Sequence, residues 1–121
     1  MWPTRLSRKQ EQGRAWEDMA LAYLERRGLV LVEANFRCKL GEIDLILRDG
    51  ATLVFVEVRQ RAAGAPVSAA ASIGPAKIRR IIRAAQVYLQ RFQRLPPCRI
   101  DVVAIDGMQL EWLRNAIEAG M

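Results

Sequence analysis

Glu42, Asp44 and Glu57 are acidic residues set into two strongly apolar segments, Gly41-Glu42-Ile43-Asp44-Leu45-Ile46-Leu47-Arg48 and Leu53-Val54-Phe55-Val56-Glu57-Val58-Arg59. Runs of this length and β-branched content read as strands, and Asp49-Gly50 between them is a strong hairpin signal. Side chains alternate faces along a strand. One face of the hairpin then carries Ile43, Leu45 and Leu47 opposite Val54, Val56 and Val58. The other carries Glu42, Asp44, Ile46 and Arg48 opposite Leu53, Phe55, Glu57 and Arg59. A turn at Asp49-Gly50 sets Asp44 opposite Phe55, and a turn at Gly50-Ala51 sets it opposite Glu57. In either register the three carboxylates share a face, and only an odd slip or a bulge parts them.

Like charges facing each other across a ladder cost up to about 1 kcal/mol. A cation between the carboxylates would relieve that cost. So would a fully solvated face, or ordinary ion pairs with Arg48 and Arg59. Ile46 and Phe55 on the same face argue for partial burial, which favours the cation. Mg²⁺ or Mn²⁺ held by one or two carboxylates keeps several waters, polarises a phosphodiester and acidifies a bound water. A basic side chain beside it would stabilise the charge that develops on the phosphoryl oxygens.

Composition narrows the chemistry further. The 121 residues include no histidine, so Ser-His-Asp and Cys-His catalysis and His-ligated zinc are excluded. Cys38 and Cys98 stand alone and read as idle thiols rather than a metal cluster or disulfide framework. The formal charge of +6 is carried mostly by Arg, which favours bidentate phosphate contacts and nominates nucleic acid as a partner. No apolar run approaches the length of a membrane span, and the amino-terminal residues lack a signal-peptide core, so a cytoplasmic protein is expected.

The elements that must position these residues follow from periodicity. Trp16, Met19, Ala20, Tyr23 and Leu24 predict a first helix over about Glu11–Arg27, capped at Gly28. Leu29–Val32 reads as a short buried strand leading to Asn35-Phe36-Arg37. After the hairpin, Ala62–Pro75 is rich in Ala, Gly, Pro and Ser and is expected to be a mobile loop. A second helix is predicted over Pro75–Gln93, then strands over Arg99–Ile105 and Met108–Leu113, joined by Asp106-Gly107. That order predicts a single α/β domain over 11–121, with a mixed sheet flanked by helices, behind a flexible basic segment over 1–10.

Between Arg59 and Arg99 stand nine basic residues and no acidic one. On the second helix Ile78, Ile81, Ile82, Ala85, Tyr88, Leu89 and Phe92 share one side, while Lys77, Arg79, Arg80, Arg83, Arg91 and Arg94 spread over the other. An uncompensated positive face suits phosphate tracking that is salt-sensitive and blind to sequence. Without a base-reading motif, recognition of a junction, flap or end is expected.

The chain resembles the bacterial YraN family. The likeness rests on Gly13-x-x-x-Glu17-x-x-Ala20-x-x-Tyr23-Leu24, Asn35-Phe36-Arg37, Gly41-Glu42-Ile43-Asp44-Leu45-Ile46 and Phe55-Val56-Glu57-Val58-Arg59. Lys77, Ala85-x-x-Tyr88-Leu89 and Arg99-x-Asp101-Val102-Val103 extend it. That family is similar to restriction-endonuclease-like proteins, and to archaeal Holliday-junction resolvases among them. The resemblance implies a restriction-endonuclease-like core, a divalent metal (Mg²⁺ or Mn²⁺) on Asp44 and Glu57, and Glu17 as an auxiliary carboxylate beside Glu42. It also implies a nucleic acid substrate, DNA before RNA, and a homodimer. The usual Glu-x-Lys is here Glu57-Val58-Arg59, and Arg cannot serve as a base at working pH. Arg59 is therefore expected to stabilise charge, with Lys77 as the other candidate for the usual lysine's role. Arg61, Lys77, Arg79, Arg80 and Arg83 are the expected backbone contacts, and Asp101 beside Arg99 is expected to be an ion-pair partner.

Overall fold

The protein's computed structural model describes residues 7–118. The first six residues of the segment expected to be flexible lie outside the described residues. The elements run α1 (Arg8–Glu25), β1 (Val30–Cys38), β2 (Gly41–Asp49), β3 (Thr52–Arg61), a 3₁₀ turn (Ala70–Ser72), α2 (Pro75–Leu89), β4 (Cys98–Asp106) and β5 (Gln109–Ile117). The sheet order is β1-β2-β3-β4-β5. Only β3 and β4 run parallel, joined through α2, and the other neighbours are antiparallel. This is the mixed α/β architecture expected, consistent with a restriction-endonuclease-like core.

Several boundaries move for identifiable reasons. The first helix starts at Arg8 rather than Glu11, because Ser7 and Gln10 form a capping box: Gln10 N donates to Ser7 Oγ and Ser7 N to Gln10 Oε1. It stops at Glu25, two residues early, and the chain turns through Gly28 at φ +93°. The first strand is much longer than Leu29–Val32. It is an edge strand, mostly exposed, so its polar residues carry no buried alternation to read. Helix α2 ends at Leu89 instead of Gln93. The hairpin turn is Gly50-Ala51, with Asp49 paired to Thr52 and Gly50 at φ +61°.

The segment 62–75, expected to be a mobile loop, is partly tied down. Ala69 is fully buried and its N–H donates to Asp106 Oδ1 at 2.8 Å. Arg59 Nε donates to Ser72 Oγ at 2.9 Å.

Both faces of the sheet are covered. On one, Ile81, Ala84, Ala85, Tyr88 and Leu89 of α2 pack on Leu53, Phe55, Ile46 and Ile43. On the other, Ala20 and Leu24 of α1 pack on Leu45, Leu47, Val54 and Val56. The face expected to be acidic and half-open is therefore a second core over most of its length. Ile43 departs from its expected side: it lies with Ile46 beneath α2, not with Leu45. The β1–β2 register is unbroken from Glu33↔Ile46 to Arg37↔Glu42, but Asn35, between these pairs, has φ +55°. Asp44, which this register sets across from Asn35, marks the point on β2 where the alternation reverses.

Gly41 fixes how closely α2 approaches. A Cβ there would run into the carbonyl oxygen of Arg80, so only glycine admits the helix backbone. At the far end of the sheet, buried Asp101 pins an irregular β4–β5 pairing. It accepts from Asn115 N at 2.8 Å and Trp112 Nε1 at 2.9 Å. Arg99 bridges it to Asp49, so Asp101 is the ion-pair partner expected.

Candidate functional site

The pairing of β2 with β3 extends from Asp49↔Thr52 to Leu45↔Val56 and goes no further. At the next step Asp44 turns its carboxylate into the ladder, and Val58 N–H donates to its Oδ2 at 2.8 Å. The side chain thus replaces a strand-to-strand bond, which holds Asp44 rigidly against the backbone of the Glu57-Val58-Arg59 motif. Continuing the register puts Glu57 level with Asp44, on a strand locked parallel to β4 through Glu57↔Val102.

Glu57 is only 2% exposed, and its Oε2 has no hydrogen-bond partner. Burial, then hydrogen bonding to Asp44 and the charge of Asp44, push its carboxyl up to about 9; Lys77 and Arg59 oppose the shift. A buried oxygen left without a partner is costly. The Lys77 ammonium approaches it at 3.5 Å and reaches Glu42 Oε1 at 3.9 Å. Lys77 enters from the first turn of α2, the part of that helix that Gly41 lets close on the sheet. Glu42 itself is half-exposed and also pairs with Arg37 at 3.5 Å.

Glu17 comes from α1 on the opposite face and lines the same depression as Asp44, Trp16, Arg59 and Arg61. Burial and the charge of Asp44 push it up to about 7, against a hydrogen bond from Asn35 that lowers it. The five acidic and basic residues that the sequence nominated as catalytic thus approach one end of the sheet from both faces, with Asp44 in the gap between. Arg59 is partly engaged elsewhere, since both Nε and Nη2 point to Ser72.

The arrangement suits a divalent cation at Asp44 and Glu57. Glu57 Oε2, without a hydrogen-bond partner and next to a carboxylate that raises its pKa, is a position that a divalent cation could satisfy more fully than the Lys77 ammonium at 3.5 Å. Among the described residues, no group of three or more Asp, Glu, Cys or His side chains is gathered so that it could hold a metal ion. Two carboxylates with the remaining positions left to water and phosphate match Mg²⁺ or Mn²⁺ better than a tightly caged ion.

The basic residues divide. Arg79, Arg80 and Arg83 are exposed on α2. Arg91 is not available in the same way: it lies 3.7 Å over the Tyr88 ring, pairs with Glu33 at 3.8 Å and donates to Tyr88 O. Arg37 and Lys39, exposed beside Glu42, Lys77 and Arg80, carry charge to the site that sequence pattern alone did not single out. The signal was present in Asn35-Phe36-Arg37, a motif whose spacing assigns it no role.

Comparison with known proteins identifies the lineage. The family model of the uncharacterised protein family UPF0102 matches residues 16–105, from the middle of α1 into β4. The chain belongs to the UPF0102 family. This is the YraN family that its motifs resemble, and the match covers Glu17, Asp44, Glu57, Arg59 and Lys77. A UPF0102 protein of Janthinobacterium sp. (strain Marseille) is 60% identical over 111 residues, covering 92% of this chain and 90% of that one. One from Herminiimonas arsenicoxydans is 54% identical over 121 residues, covering 97% and 98%. One from Cupriavidus metallidurans is 61% identical over 110 residues, covering 90% and 82%.

Proposed function

We propose that this UPF0102 protein is a metal-dependent, structure-selective endonuclease that hydrolyses phosphodiester bonds in DNA with junction- or flap-like features. The observation that carries this reading is the buried Glu57 Oε2 beside Asp44, which has no hydrogen-bond partner and meets only the Lys77 ammonium at 3.5 Å, where an acidic cleft borders a basic surface. Asp44 and Glu57 would hold Mg²⁺ or Mn²⁺, which when bound supplies a polarised phosphate and an acidified water. Asp44 is oriented by Val58 N–H, which donates to its Oδ2. Lys77 replaces the lysine absent from position 59 in space rather than in sequence, and places an ammonium beside Glu57 to stabilise charge on the phosphate. Glu17, pushed up to about 7, is matched to neutral pH and placed to accept the water's proton. Arg59, tethered to Ser72, orders the 62–75 segment at the rim and adds positive charge there.

A second reading is a nuclease-fold module that binds nucleic acid and cuts nothing, within a repair or recombination complex. Arg59, standing where the Glu-x-Lys pattern has Lys and tethered to Ser72, favours it. The discriminating experiment titrates Mg²⁺ and Mn²⁺ into cleavage reactions on labelled four-way, flap and single-stranded substrates. Wild type is run beside Asp44→Asn and Glu57→Gln. The nuclease reading expects metal-dependent cutting reduced at least 100-fold by either substitution. Binding without cutting, or cutting that survives both substitutions, favours the binding module.

A further inference from the structure

Three surface depressions join end to end around the carboxylates. The first lies on the α1 side and is lined by Trp16, Glu17, Asp44, Arg59 and Arg61. The second shares Gly13 and Glu17 with it and adds Arg14, Asn35 and Arg37. The third shares Arg37 with the second and continues over Lys39, Lys77 and Arg80 on the α2 side. Helices α1 and α2 cover opposite faces of the sheet. The path therefore crosses from one face to the other around the β1 edge, turning about the end of the β1–β2 hairpin. Basic side chains flank the carboxylates on both arms, so a polyanion laid along the path meets positive charge before and after Asp44.

We infer that this path is a nucleic acid groove for a single strand, with Arg37, Lys39 and Arg80 holding phosphates on one side of the scissile bond and Arg59 and Arg61 on the other. The inference rests on the nuclease reading of the same site and narrows its substrate to DNA with a single-stranded arm. Duplex DNA is stiff over about 150 base pairs and does not turn around the edge of one small sheet. A single strand bends freely at every nucleotide. Trp16, half-buried at the side of the Asp44 depression, presents an aromatic surface on which an unpaired base can stack and a paired one cannot. The basic residues of α2 are then unequal: Arg80 lines the path, whereas Arg79, Arg83 and Arg94, though exposed, do not.

The test is equilibrium binding of the full chain to a fluorescein-labelled single-stranded oligonucleotide and to a blunt duplex of the same length. Both are measured in EDTA across a salt series, so that cutting plays no part. The single strand is expected to bind at least tenfold tighter. The triple variant Arg37→Gln, Lys39→Gln, Arg80→Gln should lower the slope of log K against log salt by about 2, at roughly 0.7 for each phosphate no longer neutralised. The triple variant Arg79→Gln, Arg83→Gln, Arg94→Gln removes the same charge and should leave most of that slope in place. All six positions are exposed, and unchanged melting temperatures exclude misfolding as a cause. Duplex binding as tight as single-strand binding, or equal losses from the two triple variants, overturns the inference. Cleavage is scored separately. Cutting with a duplex preference sinks the groove and keeps the nuclease, whereas groove binding without any cutting sinks the nuclease and keeps the groove.

Discussion

Burial beside Asp44 pushes the Glu57 carboxyl far above its ordinary range, and this has a measurable consequence for folding. Its folded-state pKa of about 9 stands far above the ordinary value of 4.5. The folded chain therefore holds a proton that the unfolded chain releases, so stability is greatest at low pH within this window and falls as pH rises from about 4.5 towards 9. The slope for one such group approaches about 1.4 kcal/mol per pH unit. Glu17, at about 7, adds a smaller contribution of the same sign that is complete near neutrality. Urea unfolding in EDTA should show this decline, and Glu57→Gln should remove the part above pH 7 while leaving the part that belongs to Glu17. A flat profile in wild type would mean that Glu57 ionises normally despite its burial. The approach of Asp44 to Glu57 was legible in one of the two hairpin registers, the Gly50-Ala51 turn that the chain adopts, whereas the other set Asp44 opposite Phe55. The approach of Lys77 was open only as an alternative, since nothing in a one-dimensional pattern sets the distance between a helix turn and a strand.

Among the elements, α2 carries the most consequence for the site. Its position is set by Gly41, whose missing Cβ leaves room for the Arg80 carbonyl, and by the buried Ile81, Ala84 and Ala85 ridge. Gly41→Ala forces the helix outward or strains the β1–β2 turn, at an expected cost of about 1–3 kcal/mol in urea unfolding. It should also weaken Mn²⁺ binding by calorimetry, because Lys77 and Glu42 lie within one turn of the displaced backbone. Unaltered stability would show that the backbone gives way without cost. The sequence made the helices, the β2–β3 hairpin and β4 legible through apolar periodicity. It did not reveal the length of β1, whose polar, exposed residues look like a loop, nor the reversal across from Asn35. A left-handed non-glycine residue leaves no mark in a hydrophobic pattern, and neither does the break in β2 alternation across from it, which puts Ile43 in the other core. The Asp101, Trp112 and Asn115 cluster was equally hidden, because its members are brought together by a bulge that alternation does not anticipate.

For the molecule as a whole, two small cores back to back leave chemistry only at the rim, where the strands part and both helices contribute side chains. Among the described residues, the depressions that run around this rim are grooves rather than enclosed cavities. A cleft of that kind admits its polymer sideways and has no need of a free terminus to thread. Topology then becomes a readout in its own right. A covalently closed circle of single-stranded DNA should compete for the protein as well as a linear strand of equal length, within about twofold, and should be nicked at a similar initial rate. A marked preference for the linear form would instead point to entry by an end, and to an exonuclease-like mode of feeding.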